Sequence, residues 1–185
     1  MLEFFAKEKK KVTIGAGSIA FEVLLWVFFI IPGIIFMFMK KKAKKYLNEL
    51  KTQIDDCYAL LNNILNQRID TLNEVDRFAK WPFSEISKDL PINEKGSLIE
   101  KASREAKKLI DKNLELKTQI EINNNLKREL VSVKSNYNNL VLRWNKELFL
   151  WPTKQIVAAK EGYTTEVTYT VLDELKVNAK GGLLE

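Results

Sequence analysis

Few side chains in this chain could act on a chemical bond. Adjacent carboxylates at Asp55 and Asp56, the single thiol of Cys57, the guanidinium of Arg68 and the carboxylate of Asp70 are the groups whose types would allow acid–base, nucleophilic or charge-stabilising chemistry. The chain contains no histidine and one cysteine, so imidazole triads, His-ligated metals, CxxC redox pairs and internal disulfides are all set aside. Carboxylate chemistry remains, but Asp55 and Asp56 fall on a solvated helix face, with no glycine-rich phosphate loop or metal-ligand spacing beside them. Cys57 lies on an apolar helical line and reads as a small buried hydrophobe rather than a reactive thiol. Arg68 interrupts the same line, where a bare charge would be costly; a structural ion pair with Asp70, or with a carboxylate on a facing helix, is expected. No catalytic, cofactor-binding or metal site is predicted.

The element that carries these residues is a long helix. Leu47, Leu50, Ile54, Cys57, Leu61, Ile64, Arg68, Leu72, Val75 and Ala79 recur at steps of three or four, which predicts one helix over about 46–80, stopped where Pro82 disfavours helical geometry at Trp81. Residues 81–97 hold two prolines, a glycine and three serines without apolar period and read as a loop. Ser97 with Glu100 would form a capping box for a shorter helix over about 97–111, marked by Leu98, Ala102, Ala106 and Leu109. A last long helix, about 116–150, shows Leu126, Leu130, Val133, Tyr137, Leu140, Trp144 and Leu148, with an aromatic stripe toward its end, and should stop at Trp151-Pro152 near the membrane-proximal side. The triplet Asn123 to Asn125 reads as compositional bias. Val167, Tyr169 and Val171 alternate like a short strand that lies along the bundle, ahead of a Gly-Gly tail.

Upstream of this domain runs IAFEVLLWVFFIIPGIIFMFM, residues 19–39, in which Glu22 is the only charge. As one straight helix it would measure roughly 31 Å, the hydrocarbon thickness of a bilayer. KKKAKK follows it instead of a small-residue cleavage site, so the segment is expected to be retained. Pro32-Gly33 would kink it, and Glu22 would reach an interface.

The formal charge of +6 resides entirely in this part of the chain. Residues 1–45 carry nine lysines against three glutamates, whereas the remaining 140 carry 21 basic and 21 acidic side chains. Lipid headgroups and membrane topology explain that distribution better than a nucleic acid does. Five lysines follow the apolar run directly and four precede it at a distance, partly offset by Glu3 and Glu8, which favours a cytoplasmic C-terminal domain. The expected organisation is a basic segment (1–18), a transmembrane helix (19–39), an elongated antiparallel bundle of three to four helices (40–163) and an extended tail (164–185), all-α throughout.

From Tyr137 onward the chain resembles the LemA family of bacterial membrane-anchored proteins. The resemblance rests on Tyr137-Asn138, Val141, Trp144-Asn145, Trp151-Pro152, Ile156 to Ala158, Gly162-Tyr163 and Tyr169, where the family pattern has Tyr-Asn, Val, Tyr-Asn, Phe-Pro, Ile-Ile-Ala and Gly-Phe in that order. A looser match places Arg68, Asp70, Leu72 and Val75 on an Arg-rich family stretch, with Asn73 where the family has Pro and Glu74 where it has Asn; Ala102 and Arg104 match a third, weak signature. The resemblance implies long antiparallel helices on one anchor in the bacterial plasma membrane, and it brings no catalytic residues. It also implies a membrane or envelope protein partner, a membrane protease being one candidate. The Tyr-Asn and aromatic-Pro pairs would serve either as recognition surface or as packing and helix-stop elements. The leading expectation is a membrane-tethered scaffold or interaction protein without cofactors or nucleic acid. A stator-like coiled-coil stalk that self-associates is the alternative, and a carboxylate-dependent enzyme the third.

Overall fold

The computed structural model describes residues 9, 11–28, 30–76, 86–108 and 114–170. Among them the chain is all-α, with five helices: α1 Ala16–Phe28, α2 Ile30–Asp76, α3 Ile92–Lys107, α4 Leu114–Glu147 and α5 Thr153–Glu161. They contribute to two compact units, one drawn from Met1–Asp56 and Tyr137–Thr168, the other from Cys57–Asn136 and Tyr169–Glu185.

In the second unit α2 supplies Cys57, Leu61, Ile64, Leu65, Ile69, Leu72 and Val75 to the core, each 7% exposed or less. Every member of the predicted seam that is described, from Leu47 to Val75, is buried; Ala79, Leu109, Trp81-Pro82, Val171 and the Gly-Gly tail lie outside the described residues. The direction of the helices follows from their contacts. Cys57 meets Val133 and Asn136 while Arg68 meets Asn123, so α2 and α4 run antiparallel. Lys95 meets Asn62 and Asn66 while Ser103 meets Arg68, so α3 runs in the same sense as α2. Burial of apolar side chains on this scale stabilises by about 1.5–3 kcal/mol each.

The boundary of α3 differs from the sequence expectation. The helix begins at Ile92 after Pro91, without a side-chain cap, and Ser97 is buried inside it. Its ends match the helix dipole: Glu94 lies in the first turn, and Arg104 and Lys107 in the last. Lys95, Gly96 and Ser97 look like loop residues but form the buried face of the first turns. Gly96 is there for space: a methyl group in its place would lie 2.1 Å from the Tyr169 hydroxyl.

The first unit is built on Leu47, Leu50 and Ile54 of α2, Tyr137, Val141, Trp144 and Leu148 of α4, and Ile156, Val157 and Ala158 of α5. On α4 the buried line passes through Val141 and Asn145, whereas the expected Leu126, Val133 and Leu140 are half-buried. α5 ends at Gly162 (φ 72°), with Gly162 N–H donating to Ala159 and Tyr163 N–H to Ala158, a Schellman closure that needs a left-handed residue. The described segment after it has no regular secondary structure beyond one isolated antiparallel bridge between Lys11 and Thr164, in place of the expected short strand.

The largest departure concerns the apolar run, which is not one straight helix. Phe21 of α1 lies 5.8 Å from Phe36 of α2, ring to ring, and the Glu22 carboxylate pairs with Lys40. In a straight helix those pairs would be separated by about 22 and 27 Å. α1 and the first turns of α2 are therefore antiparallel limbs of a helical hairpin. Among the described residues no helix is long and apolar enough to cross a membrane. Pro32 supplies the local reason. It occupies the first turn of α2, where the missing N–H costs nothing, whereas in one continuous helix its ring would clash with the carbonyl four residues back, at Phe28. Gly33 allows the limbs to close: it is buried against Trp26, and a methyl group there would lie 3.2 Å from the Trp26 ring and 3.5 Å from the Leu25 carbonyl oxygen.

Candidate functional site

The surface that departs most from an ordinary water-facing one is the hairpin. Ile30 and Ile31 are each 72% exposed, and Val27, Phe28 and Phe38 are above 60%. Left in water, each such side chain forgoes roughly 1.5–3 kcal/mol of burial, and contiguous apolar patches of this kind mark interaction surfaces. Phe36, packed against Phe21 of the other limb, is 5% exposed.

A charged collar closes the base. Glu22 accepts from Lys40 and from Lys160 at 3.0 Å, joining α1, α2 and α5 at one level. Lys41, Lys42, Lys44 and Lys45 follow on α2, and Lys44 pairs with Glu161 at 2.7 Å. The corner after α4 reaches the same place: Trp151 packs on Phe21 at 5.1 Å between ring centres while remaining 59% exposed, and Phe149 and Leu150 beside it are 46% and 40% exposed. α4 ends at Glu147, short of the expected stop; Trp151 stands beside the hairpin, and Pro152 precedes the first residue of α5. Phe149 and Leu150 carry no role in the sequence reading; their signal is three consecutive apolar residues past the last turn of the α4 seam.

Behind the collar, the aromatic stripe of α4 holds the segment after α5. Trp144 Nε1 donates to the Thr164 carbonyl (2.9 Å) and Tyr137 Oη to the Val167 carbonyl (3.1 Å). Between them Asn145 makes a two-way amide pair with Glu166: its Nδ2 donates to the carbonyl (2.9 Å) and its Oδ1 accepts from the N–H (2.8 Å). This is how the buried segment satisfies its peptide groups without a sheet. Val141 is fully buried under the stripe, Asn138 is half-buried, and Tyr163 packs on Trp144 with the rings tilted at 59° and their centres 5.2 Å apart, and donates to Asn48. The same segment receives the chain that precedes α1, through Val12 N–H to the Tyr163 carbonyl (3.4 Å) and Lys9 to Glu166 (2.9 Å). Glu166 also pairs with Lys51 (2.9 Å).

Arg68 sits in the second unit with no solvent exposure. It donates to Glu100 (2.8 Å), Asn123 (2.9 Å) and Ser103 (3.2 Å), and Asn123 donates to Ser103 (3.0 Å). Its carboxylate partner is thus on a facing helix, α3. Asp70 points away and pairs with Lys88 (2.6 Å) on the surface. Asn123, expected to reflect composition alone, is 2% exposed and completes the network, since a buried guanidinium needs neutral acceptors for the donors a single carboxylate cannot serve. Burial pushes the Glu100 carboxyl upward, but hydrogen bonds from Lys127 and Arg68 and their charges outweigh it and hold the group below its ordinary value. Lys95, 2% exposed, has amide partners instead, Asn62 at 2.7 Å and Asn66 at 3.0 Å, and burial lowers its pKa.

Cys57, Asp55, Arg68 and Asp70 each engage separate partners. The Cys57 thiol is buried, its pKa is raised chiefly by burial, and its sulfur contacts the Val133 carbonyl and the Asn136 amide at 3.7 Å. Asp55 is exposed and pairs with Lys51 (2.8 Å). Among the described residues no group of three or more Cys, Asp or Glu side chains could hold a metal ion. Of the residues singled out by sequence, Tyr137, Val141, Trp144, Asn145 and Tyr163 converge on the segment after α5, Gly162 shapes the turn into it, and Trp151 and Pro152 stand at the hairpin; Arg68 and Asp70 belong to neither place. No family model, curated protein or solved structure matches the chain.

Proposed function

We propose that this chain is a membrane-anchored helical scaffold or interaction protein of the LemA type, acting by binding rather than by catalysis. The observation that carries the reading is the exposed apolar hairpin ringed at its base by Lys40 to Lys45. A lipid surface would cover the apolar limbs and its anionic headgroups would meet the lysines. The helical body beyond the collar then presents a surface to a protein partner in or at the bacterial plasma membrane. The partner class is a membrane or envelope protein, a membrane protease included.

The stalk alternative needs the apolar seam of α2 for a second copy. Within the second unit that seam faces α4 of the same chain, through Cys57 against Val133 and Arg68 against Asn123, which favours the scaffold. Two measurements test the proposal together. The full-length protein should sediment with membranes and resist extraction by alkaline carbonate. Crosslinking in the membrane followed by mild solubilisation should recover a recurrent partner at fixed ratio. Complete release by carbonate would defeat the anchoring, and recovery of self-crosslinked chain alone would replace the scaffold with a self-assembling stalk.

A further inference from the structure

The apolar run is long enough to cross a bilayer, yet it folds in half, and that changes what it can do to a membrane. From the collar at Lys40 to the tip at Ile30 is ten residues, about 15 Å of helix, which matches roughly half of a 30 Å hydrocarbon core. We infer that the α1–α2 hairpin enters the membrane from one face only, reaching the bilayer centre with its apolar tip and leaving both chain ends and the helical body on the side of entry. The inference rests on the membrane reading above and specifies its geometry.

Four observations converge on it. The pairing of Glu22 with both Lys40 of α2 and Lys160 of α5 puts the start of α1 and the start of the helical body at one level, which a crossing helix would place on opposite faces. The chain before α1 is tied to the chain after α5 by Lys9 with Glu166 and by Val12 with Tyr163, contacts that no membrane can separate. Charge distribution agrees: a crossing helix divides the nine lysines of residues 1–45 between two faces, against the usual bias, whereas a hairpin leaves all nine on one face. Trp151, packed on Phe21 at the collar and largely exposed, lies at the depth where tryptophan prefers the headgroup boundary, with Phe149 and Leu150 beside it. The occupant is therefore a single leaflet rich in anionic lipid.

The test uses the full-length protein with an epitope at each end, in sealed inverted membrane vesicles that expose the cytoplasmic face and in vesicles made of phosphatidylglycerol and phosphatidylcholine. The expected result is resistance to carbonate with both epitopes digested by protease added to the inverted vesicles. One epitope digested and the other protected, with carbonate resistance kept, would overturn the hairpin while leaving the membrane reading intact. Release by carbonate would overturn the membrane reading itself. A distance measurement gives a second answer: spin labels at Ile19→Cys and Lys41→Cys, in a Cys57→Ser background, should lie within about 20 Å in the lipid vesicles, whereas a straight helix would hold them about 33 Å apart. The longer distance would refute the inference even if the epitopes were ambiguous.

Discussion

The two units hold their buried polar groups in opposite ways. In the second, Arg68 of α2 is a full charge satisfied by other side chains, Glu100 and Ser103 of α3 and Asn123 of α4. In the first, Asn145 is neutral and satisfied by one peptide unit, the N–H and carbonyl of Glu166. The charged network is a lock among helices, because removing one member strands the rest in a low-dielectric interior. The amide pair is a clip on a chain segment, which without it loses local order while the helices beneath stay packed. Arg68 interrupts a seam read from the sequence, whereas Asn145 lies beside Trp144 of the α4 seam and joins the buried line only in the structure.

The contrast can be broken most severely at Arg68. Arg68→Ala should cost about 3–5 kcal/mol, because Glu100 and Asn123 lose their buried partner, measured as a shift in the denaturant midpoint. Arg68→Met combined with Glu100→Leu should recover much of it; a single mutant within 1 kcal/mol of the parent would show the network to be incidental. Asn145→Ala should cost about 1–3 kcal/mol by leaving two peptide groups unsatisfied. Hydrogen exchange should accelerate around Thr165 to Val167 and remain unchanged around Ser103; equal acceleration in both places would remove the distinction between lock and clip. Gly162→Ala, at φ 72°, should cost about 1 kcal/mol, read as a modest fall in midpoint with the same local exchange signature as Asn145→Ala.

The smallest effect is one of pH and belongs to the charged region alone. Because the Glu100 carboxyl is held below its unfolded value, its contribution is complete above that value, about 4.5, and is lost as pH falls through the lower folded one. Unfolding midpoints followed downward from neutral pH should show a steeper acid decline for the parent than for Glu100→Gln. Superimposable slopes would mean that Glu100 keeps the same proton affinity in both states.

The α2 seam was fully legible in the sequence over its described length because burial of one helix face imposes a 3.6-residue period on residue type whatever lies opposite. The partition of charge along the chain was legible because it depends on composition alone, whereas Gly162 was marked only by the family resemblance and its left-handed turn emerged with the structure. What the period cannot say is which element covers a face. Asp70 and a facing carboxylate were equal candidates for Arg68 until the direction of α3 brought Glu100 to it. Lys95, Gly96 and Ser97 carried loop-like composition until Tyr169 occupied the space that Gly96 leaves open. Likewise Asn123 had no visible purpose before the guanidinium arrived beside it.

The apolar run shows the division most plainly. Composition determined that residues 19–39 would seek a nonpolar environment and that lysines would stop at its border, since both follow from the cost of hydrating hydrocarbon and dehydrating charge. Whether the run stands straight or folds at Pro32 was decided by tertiary contacts: Trp26 against Gly33, Phe21 against Phe36 and Glu22 between Lys40 and Lys160. A proline in an apolar helix is compatible with a kink or with a new start, and only the groups that pack around it select between them.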